Sequence, residues 1–238
     1  MLRIIKHRPQ NAAMNMALDE TLFIRHCAQI QDKDPAQRRP APVLRFYSWD
    51  GAYATIGYFQ KNLCNGVRRI TGGLTVFHKD DLSYGFISDI NSWEHVYSEP
   101  QTYKILHTSI QKALLKINIA CSFLPAKEGG VNNICVQTLY ENDLIYKGEK
   151  VVGSCSRRRA AALLVQGSVH IKLDDAQKEI FQTAFAQELS LCILKSQPAL
   201  PGALCESWYE QDLTEEELKQ AEILAAEKYC DKSWNNKF

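Results

Sequence analysis

The sequence predicts an α+β domain built on a mainly antiparallel sheet flanked by helices. Three observations carry that expectation. Strand-like segments come in neighbouring pairs at hairpin distance, not one per crossover helix, which is the pattern of an antiparallel sheet. Stretches with apolar residues at helical spacing stand between those pairs. The chain has 238 residues, 45% of them hydrophobic, enough to bury roughly 70–75% of the unfolded surface without a disulfide or metal staple.

Taken in order, Met14 to Ala28 is an expected amphipathic helix, with Met14, Ala17, Leu18 and Leu22 near one face and Asn11 placed to cap it. Gln31 to Pro42 is polar and Pro-containing, with Arg38-Arg39, and is expected to be a surface loop. Val43 to Tyr47 is a strand, and Tyr53 to Phe59 a second one interrupted by Gly57. Leu74 to Phe77 and Leu82 to Ile87 are expected to pair around a polar turn at Lys79-Asp80-Asp81. Pro100 to Ile117 is the clearest helix, with Tyr103, Leu106, Ile110, Ala113 and Leu114 on one face. Asp143 to Tyr146 and Lys150 to Val152 are strands joined by Lys147-Gly148-Glu149, followed by a strand from Ala162 to Ile171. A helix is expected from about Asp174 to Gln187. Another runs from Thr214 to Lys228, opening on a capping box of Thr214 and Glu217. No linker divides the chain, so residues 1–238 are expected to form one domain.

Charge excludes several classes. Lysine and arginine total 28 against 27 acidic residues, a net charge of +1, so a general nucleic-acid or membrane-surface binder is not expected. No apolar run reaches the ~18 residues of a membrane span. The N-terminal segment lacks the apolar core of a signal peptide, which points to a cytoplasmic protein. The eight cysteines show neither a CxxC pair nor histidines at zinc-ligand spacing, so no metal site is expected. In a reducing cytosol they would be thiols, and the question is whether one is reactive.

Two stretches carry chemistry. In Arg68-Arg69-Ile70-Thr71-Gly72-Gly73, continuing to His78, two glycines allow close backbone approach to a ligand, and two arginines supply charge suited to a carboxylate or phosphate. The plain alternative is a Gly-Gly turn with two solvated arginines. In Gly148-Glu149-Lys150-Val151-Val152-Gly153-Ser154-Cys155, a lysine anchored on a strand is a directed cation, and Gly153 removes a side chain where something must approach. Its plain alternative is an ordinary edge-strand lysine. Arg157 to Arg159, alone, are a solvated basic patch.

Together these stretches form an ordered set: Met14-Asn-Met-Ala-Leu-Asp-Glu, then Leu44-Arg-Phe-Tyr-Ser-Trp49 with Gly57 and Gln60. Next come Arg68-Arg-x-Thr-Gly-Gly with His78 and Asp81-Leu-Ser-Tyr84, then Gly148-x-Lys150-x-x-Gly-Ser with Gln166-Gly167-Ser168. The set resembles the biotin/lipoate protein ligase superfamily, in its lipoate-protein ligase and octanoyltransferase branch, from about residue 10 to the C-terminus. The resemblance implies a fold like that of biotin ligases and class II aminoacyl-tRNA synthetases. Trp49, Arg68, Arg69, Thr71, Gly72, Gly73, His78, Gly153, Gln166 and Gly167 are the implied substrate-binding positions.

The branch divides by chemistry. Ligases use ATP, with magnesium and lipoate, to make lipoyl-adenylate, and their glycine motif usually reads Gly-Gly-Gly; here its third position is Leu74. Many also carry an accessory C-terminal domain, for which 238 residues leave no room. Cys-dependent octanoyltransferases need no cofactor. They take octanoate from acyl carrier protein onto a thiol and pass it to the lysine of a lipoyl domain, such as that of a 2-oxoacid dehydrogenase E2 subunit or the glycine cleavage H protein. Their nucleophile precedes the motif lysine by fifteen positions, which here is Cys135. The aromatic that typically follows that thiol, and a later proline, are absent from Cys135-Val136-Gln137-Thr138-Leu139-Tyr140. The resemblance therefore implies Cys135 as nucleophile, approached by a Gly129-Gly130 lead-in, and Lys150 as its partner. An acyl slot is expected around Trp49, Tyr53 and Val76, where eight carbons buried at ~0.8 kcal/mol each suffice for binding. The ATP-dependent ligase is the alternative, and a non-catalytic lipoyl-binding module a third reading.

Overall fold

Alternation along the strands decides which helices cover which face. A computed structural model describes residues 1–32, 40–90, 99–124, 135, 140–195 and 208–238. The expected loop around Arg38-Arg39, the Gly129-Gly130 lead-in, Val136 to Leu139 and Cys205 lie outside these residues. The strands are β1 (Leu2–Lys6), β2 (Val43–Tyr47), β3 (Tyr53–Ile56), β4 (Val67–Arg68), β5 (Val76–His78), β6 (Leu82–Asp89), β7 (Ser122–Phe123), β8 (Leu144–Tyr146), β9 (Glu149–Arg159), β10 (Ala162–Val169) and β11 (Trp208–Glu210). The helices are α1 (Ala12–Gln31), α2 (Glu99–Leu115), α3 (Asp175–Lys195), α4 (Glu215–Leu224), which runs on into a π-helical turn at Ala225–Tyr229, and α5 (Lys232–Asn235).

The larger sheet has the order β11-β1-β2-β6-β10-β9-β8-β7. It is antiparallel from β2 to β7, while β1 runs parallel to both β2 and β11. On one face Leu44, Phe46, Tyr84, Phe86, Leu163 and Val165 form a core with Leu106 and Ile110 of α2 and Phe181, Phe185 and Leu189 of α3. Their neighbours in sequence, Val43, Ile87 and Leu164, turn to the other face and pack with Leu22 and Phe23 of α1. A helix over each face of an antiparallel-rich sheet is the expected α+β architecture.

The helix ends follow from capping. Asn11 Oδ1 accepts from the Met14 N–H at 2.9 Å. The Thr214 hydroxyl accepts from the Glu217 N–H while Glu217 Oε2 accepts from the Thr214 N–H, so the capping box forms as read. Glu217 also takes a two-pronged bond from Arg3 at 2.8 and 2.9 Å, tying α4 to β1.

Two expectations are corrected. The segments around Lys79-Asp80-Asp81 do not form a hairpin: β5 pairs with β3 in a separate three-stranded sheet, whereas β6 lies between β2 and β10. The Asp81 carboxylate explains the parting, since it accepts from the Lys79 N–H, the Ser83 and Ser168 hydroxyls and Trp49 Nε1, and so anchors the turn inside the protein. The basic run Arg157 to Arg159 is likewise not simply a solvated patch: it is the far end of β9, where Arg157 and Arg158 are half-buried and Arg158 donates to the Thr102 hydroxyl at 3.1 Å, and Arg159 alone of the three is exposed.

Candidate active site

A cleft of about 630 Å³ opens between the small sheet and the β9–β10 end of the large one. Its apolar lining includes Met16, Tyr47, Trp49, Leu74 and Val76, and its chemistry comes from Cys135, Lys150, Cys155, His78 and His170. The mixture of apolar walls with a few polar groups suits a small acyl ligand.

Lys150 is not an edge lysine. It sits on β9 between β8 and β10, 6% exposed, with Nζ 2.7 Å from Asp143 Oδ2. The hairpin at Gly148, where φ is +83°, folds β8 back along β9 and brings that carboxylate to the amine. The Asp143 carboxyl also accepts from the Tyr140 N–H at 2.7 Å, and burial pushes its pKa up while Lys150 pulls it down.

Cys135 enters the same cleft, its N–H donating to the Thr75 carbonyl at 2.8 Å. Burial raises its thiol above the ordinary value, and Lys150 and Arg69 act in the opposite direction without overcoming it. The resting sulfur is therefore a thiol, not the ready thiolate that a nearby lysine alone would suggest. Gly153 shows how close the two groups are. A Cβ at that position would stand 3.0 Å from Lys150 Nζ and 3.4 Å from Cys135 Sγ. Thiol and ammonium thus flank a single point at the cleft floor.

The remaining expected residues divide. Trp49 lines the cleft, its ring stacked on His78 with centroids 3.9 Å apart. His78 is held between Asp81 Oδ2 and Thr55 Oγ1, each at 2.8 Å, and burial lowers its pKa. Gly73, with φ +81°, Gly167 and Gln166 also line it. Gln166 accepts from the Thr71 hydroxyl at 2.7 Å and donates to Asp19 Oδ2 at 2.8 Å. Thr71 lies behind the wall, and Gly72 has open space where a Cβ would point. Val76 lines the cleft as expected, whereas Tyr53 turns its hydroxyl to Asp50 at 2.6 Å.

The two arginines have different duties. Arg68 is fully buried and donates to the carbonyls of Gly57, Tyr58, Gln60, Trp234 and Asn235, so it clamps the segment after β3 to α5 and does not face the cleft. Arg69 reaches the cleft wall but donates to Thr55 Oγ1 and to the carbonyls of Gly72 and Leu74. As they stand, Arg68 and Arg69 do not fit the phosphate of an adenylate, because both are committed to protein acceptors; Lys150, the cation the ligase reading sets against that phosphate, lines the cleft and is paired with Asp143.

Several residues in and around the cleft have no assigned role in the sequence reading, although Asp19 and Ser154 stand within its motifs. In the sequence Asp143 stands only as the start of a strand, and its pairing with Lys150 depends on the hairpin. His170 lines the cleft beyond Ser168, with its backbone N–H on the Val151 carbonyl. Asp19 lies mid-helix in α1, fully buried, and bonds Arg45 at 2.7 Å and Tyr47 at 3.1 Å beneath the cleft. His107 and Ser154 join at 2.7 Å, and Ser154 meets the Tyr84 hydroxyl at 2.6 Å.

In fold, the chain is of the lipoate-protein ligase type. It superposes on protein Ta0514 from T. acidophilum, solved with bound lipoic acid, with a TM-score of 0.69 at 19% identity over 99% of each chain. It matches a lipoate-protein ligase A bound with ATP equally well, at 0.69 and 20% identity over 98% and 97%. The model of the lipoyl protein ligase A/B catalytic domain matches residues 11–190, and the chain belongs to that family. Octanoyltransferase LipM of Oceanobacillus iheyensis is 33% identical over 184 residues, 71% of this chain but just under two thirds, 64%, of that protein. Octanoyltransferase LipM of Brevibacillus brevis is 25% identical over 278 aligned positions, 98% of each. Among the described residues, no helix is long and apolar enough to cross a membrane.

Proposed function

We propose that this protein is an acyltransferase of protein lipoylation, moving octanoyl, or lipoyl, from an acyl carrier protein through a thioester on Cys135 to the lysine of a lipoyl-domain protein. The observation that carries this reading is the approach of the Cys135 sulfur and the Lys150 ammonium to one point above Gly153, at the floor of an apolar cleft. The relatives named octanoyltransferase support it.

In the first half-reaction the Cys135 sulfur attacks the carbonyl carbon of the donor thioester, and its proton passes to the departing carrier thiol. One C–S bond forms as another breaks, so the activation of the acyl group is kept and no nucleotide is consumed. The Lys150 ammonium donates to the carbonyl oxygen as it gains charge, a contribution on the order of 10²–10³ in rate for a well-placed donor. Asp143, 2.7 Å away, keeps that group aimed. In the second half the acceptor amine attacks the Cys135 thioester, the new C–N bond replaces the C–S bond, and the amine proton returns to sulfur. Trp49, Val76 and Leu74 hold the chain, while Arg69, Gln166 and His78 shape the wall. A thiol nucleophile fits a reducing cytoplasm, and the cysteines in the described residues are free. We take the chain as one catalytic unit, supported by the Arg3–Glu217 and β1–β11 ties between its two ends.

The ATP-dependent ligase is the alternative. It would require Arg68 and Arg69 to leave their present acceptors. Incubating the protein with octanoyl-carrier protein and an apo lipoyl domain, with and without ATP, separates the two: nucleotide-free octanoylation is expected. Modification that needs ATP and free lipoate, and persists in Cys135→Ala, would overturn the proposal.

A further inference from the structure

Across the glycine loop from the cleft, the surface gathers rings and cations. The Tyr58 N–H donates to the Thr71 carbonyl at 2.9 Å, directly behind Gly72-Gly73. Phe59 and Phe238 pack around the Tyr58 ring with centroids at 4.8 and 5.7 Å, yet remain 76% and 50% exposed. The Arg157 guanidinium lies 5.3 Å from the Tyr58 ring centre, and Lys237 Nζ is 2.8 Å from its hydroxyl. Lys237, Arg157 and Lys228 all act on that phenol, and Lys237 most of all holds its pKa below the ordinary value.

Position links this patch to the reaction. Arg157 is two residues beyond Cys155 on β9, so it projects from the same side of the strand about 7 Å farther on, where Cys155 already lines the cleft. Exposed aromatic rings beside an arginine are the composition of a recognition surface, and the lysine adds charge at its edge. The charge discriminates between the two substrates of the proposed reaction. A carrier-bound acyl group hangs from a thioester arm joined through a phosphodiester, a fixed anion. The acceptor instead presents a lysine ammonium, which a cationic rim repels.

Resting on the transferase reading, we propose that Tyr58, Phe59, Arg157, Lys237 and Phe238 form the docking surface for the donor carrier protein, drawing its anionic arm across the glycine loop towards the cleft. Such a contact acts on encounter and affinity more than on the chemical step.

The test compares Arg157→Glu, Lys237→Glu and the milder Arg157→Gln with the parent protein, after checking that their melting temperatures agree. Thioester formation is measured with octanoyl-carrier protein and with octanoyl-pantetheine, which lacks both carrier and phosphate. For the charge reversals the expected result is a rise of about tenfold in KM for the carrier donor, steeper at low salt, with Arg157→Gln intermediate. Kinetics with octanoyl-pantetheine and KM for the lipoyl domain are expected to stay unchanged. An unchanged carrier KM would overturn the assignment. So would a rise confined to the lipoyl-domain KM, or an equal loss with both donors. A parent protein that accepts acyl from neither donor would bring down the transferase reading as well, which keeps the two failures distinct.

Discussion

Gly153→Ala tests the geometry of the cleft floor with a single methyl group. The added carbon would lie 2.6 Å from Lys150 Cε, 3.0 Å from its Nζ and 3.4 Å from Cys135 Sγ. Carbon atoms rest at about 3.5–4.0 Å, so Lys150 must retreat by roughly 1 Å. It has little freedom to do so, because its side chain is 2% exposed and Asp143 holds Nζ at 2.7 Å. The backbone itself has no need of glycine, since Gly153 lies within β9 and is not among the glycines of positive φ. A displacement of about 1 Å at a catalytic group costs on the order of 10²-fold in rate. Rapid-quench measurement of Cys135 acylation is therefore expected to show a fall of about 10²-fold, with a melting temperature within a few degrees of the parent. Acylation within about threefold of the parent rate, with the fold intact, would refute the claim that the two groups must converge there.

The other predictions concern charge and burial. Asp143→Asn removes the carboxylate paired with the buried Lys150 ammonium at 2.7 Å, and urea unfolding is expected to show a loss of about 3–5 kcal/mol. Arg68→Ala removes the donor to several carbonyls, and unfolding should show a loss above about 3 kcal/mol, while Arg68→Lys keeps the parent KM for the donor in whatever fraction folds. Burial lowers the His107 pKa from 6.5 to about 4, so between those values the unfolded chain holds a proton that the folded one refuses. Its stabilisation is present above pH 6.5 and is lost as pH falls towards 4, by on the order of 3 kcal/mol at most, read from unfolding free energy against pH. Asp81 extends the same trend: its folded pKa is depressed by His78 and Ser168 despite burial, so its share is lost as pH falls below about 4, and Asp81→Asn should flatten that limb.

What the sequence reveals depends on whether the cause is local. Asn11 and Thr214 cap their helices through residues three positions on, and both helix starts are legible. The strand at Val43–Tyr47 is legible because its run is apolar and bounded by Pro42 and Ser48. The failed hairpin at Lys79-Asp80-Asp81 is a non-local matter: Asp81 bonds Ser168, 87 positions away, and its charge draws the turn inward. β1 and β11 are short and pair across the whole chain, so no neighbouring segment announces them. At the site, Lys150, Gly153 and the Gly72-Gly73 loop stand out as motifs. Arg68 shows the limit of such a motif. Its charge suits a phosphate equally well, and only the arrival of Trp234 and Asn235 from α5 turns it into a clamp. Asp143 is hidden for a similar reason, since its distance from Lys150 is fixed by the Gly148 hairpin and not by spacing.

The most direct test is the intact mass of the protein after brief incubation with octanoyl-carrier protein in the absence of an acceptor. The account predicts a gain of one octanoyl group, mapped to Cys135, kept in Cys155→Ala, lost in Cys135→Ala and discharged when an apo lipoyl domain is added. No mass gain, or a gain that survives Cys135→Ala, would contradict it.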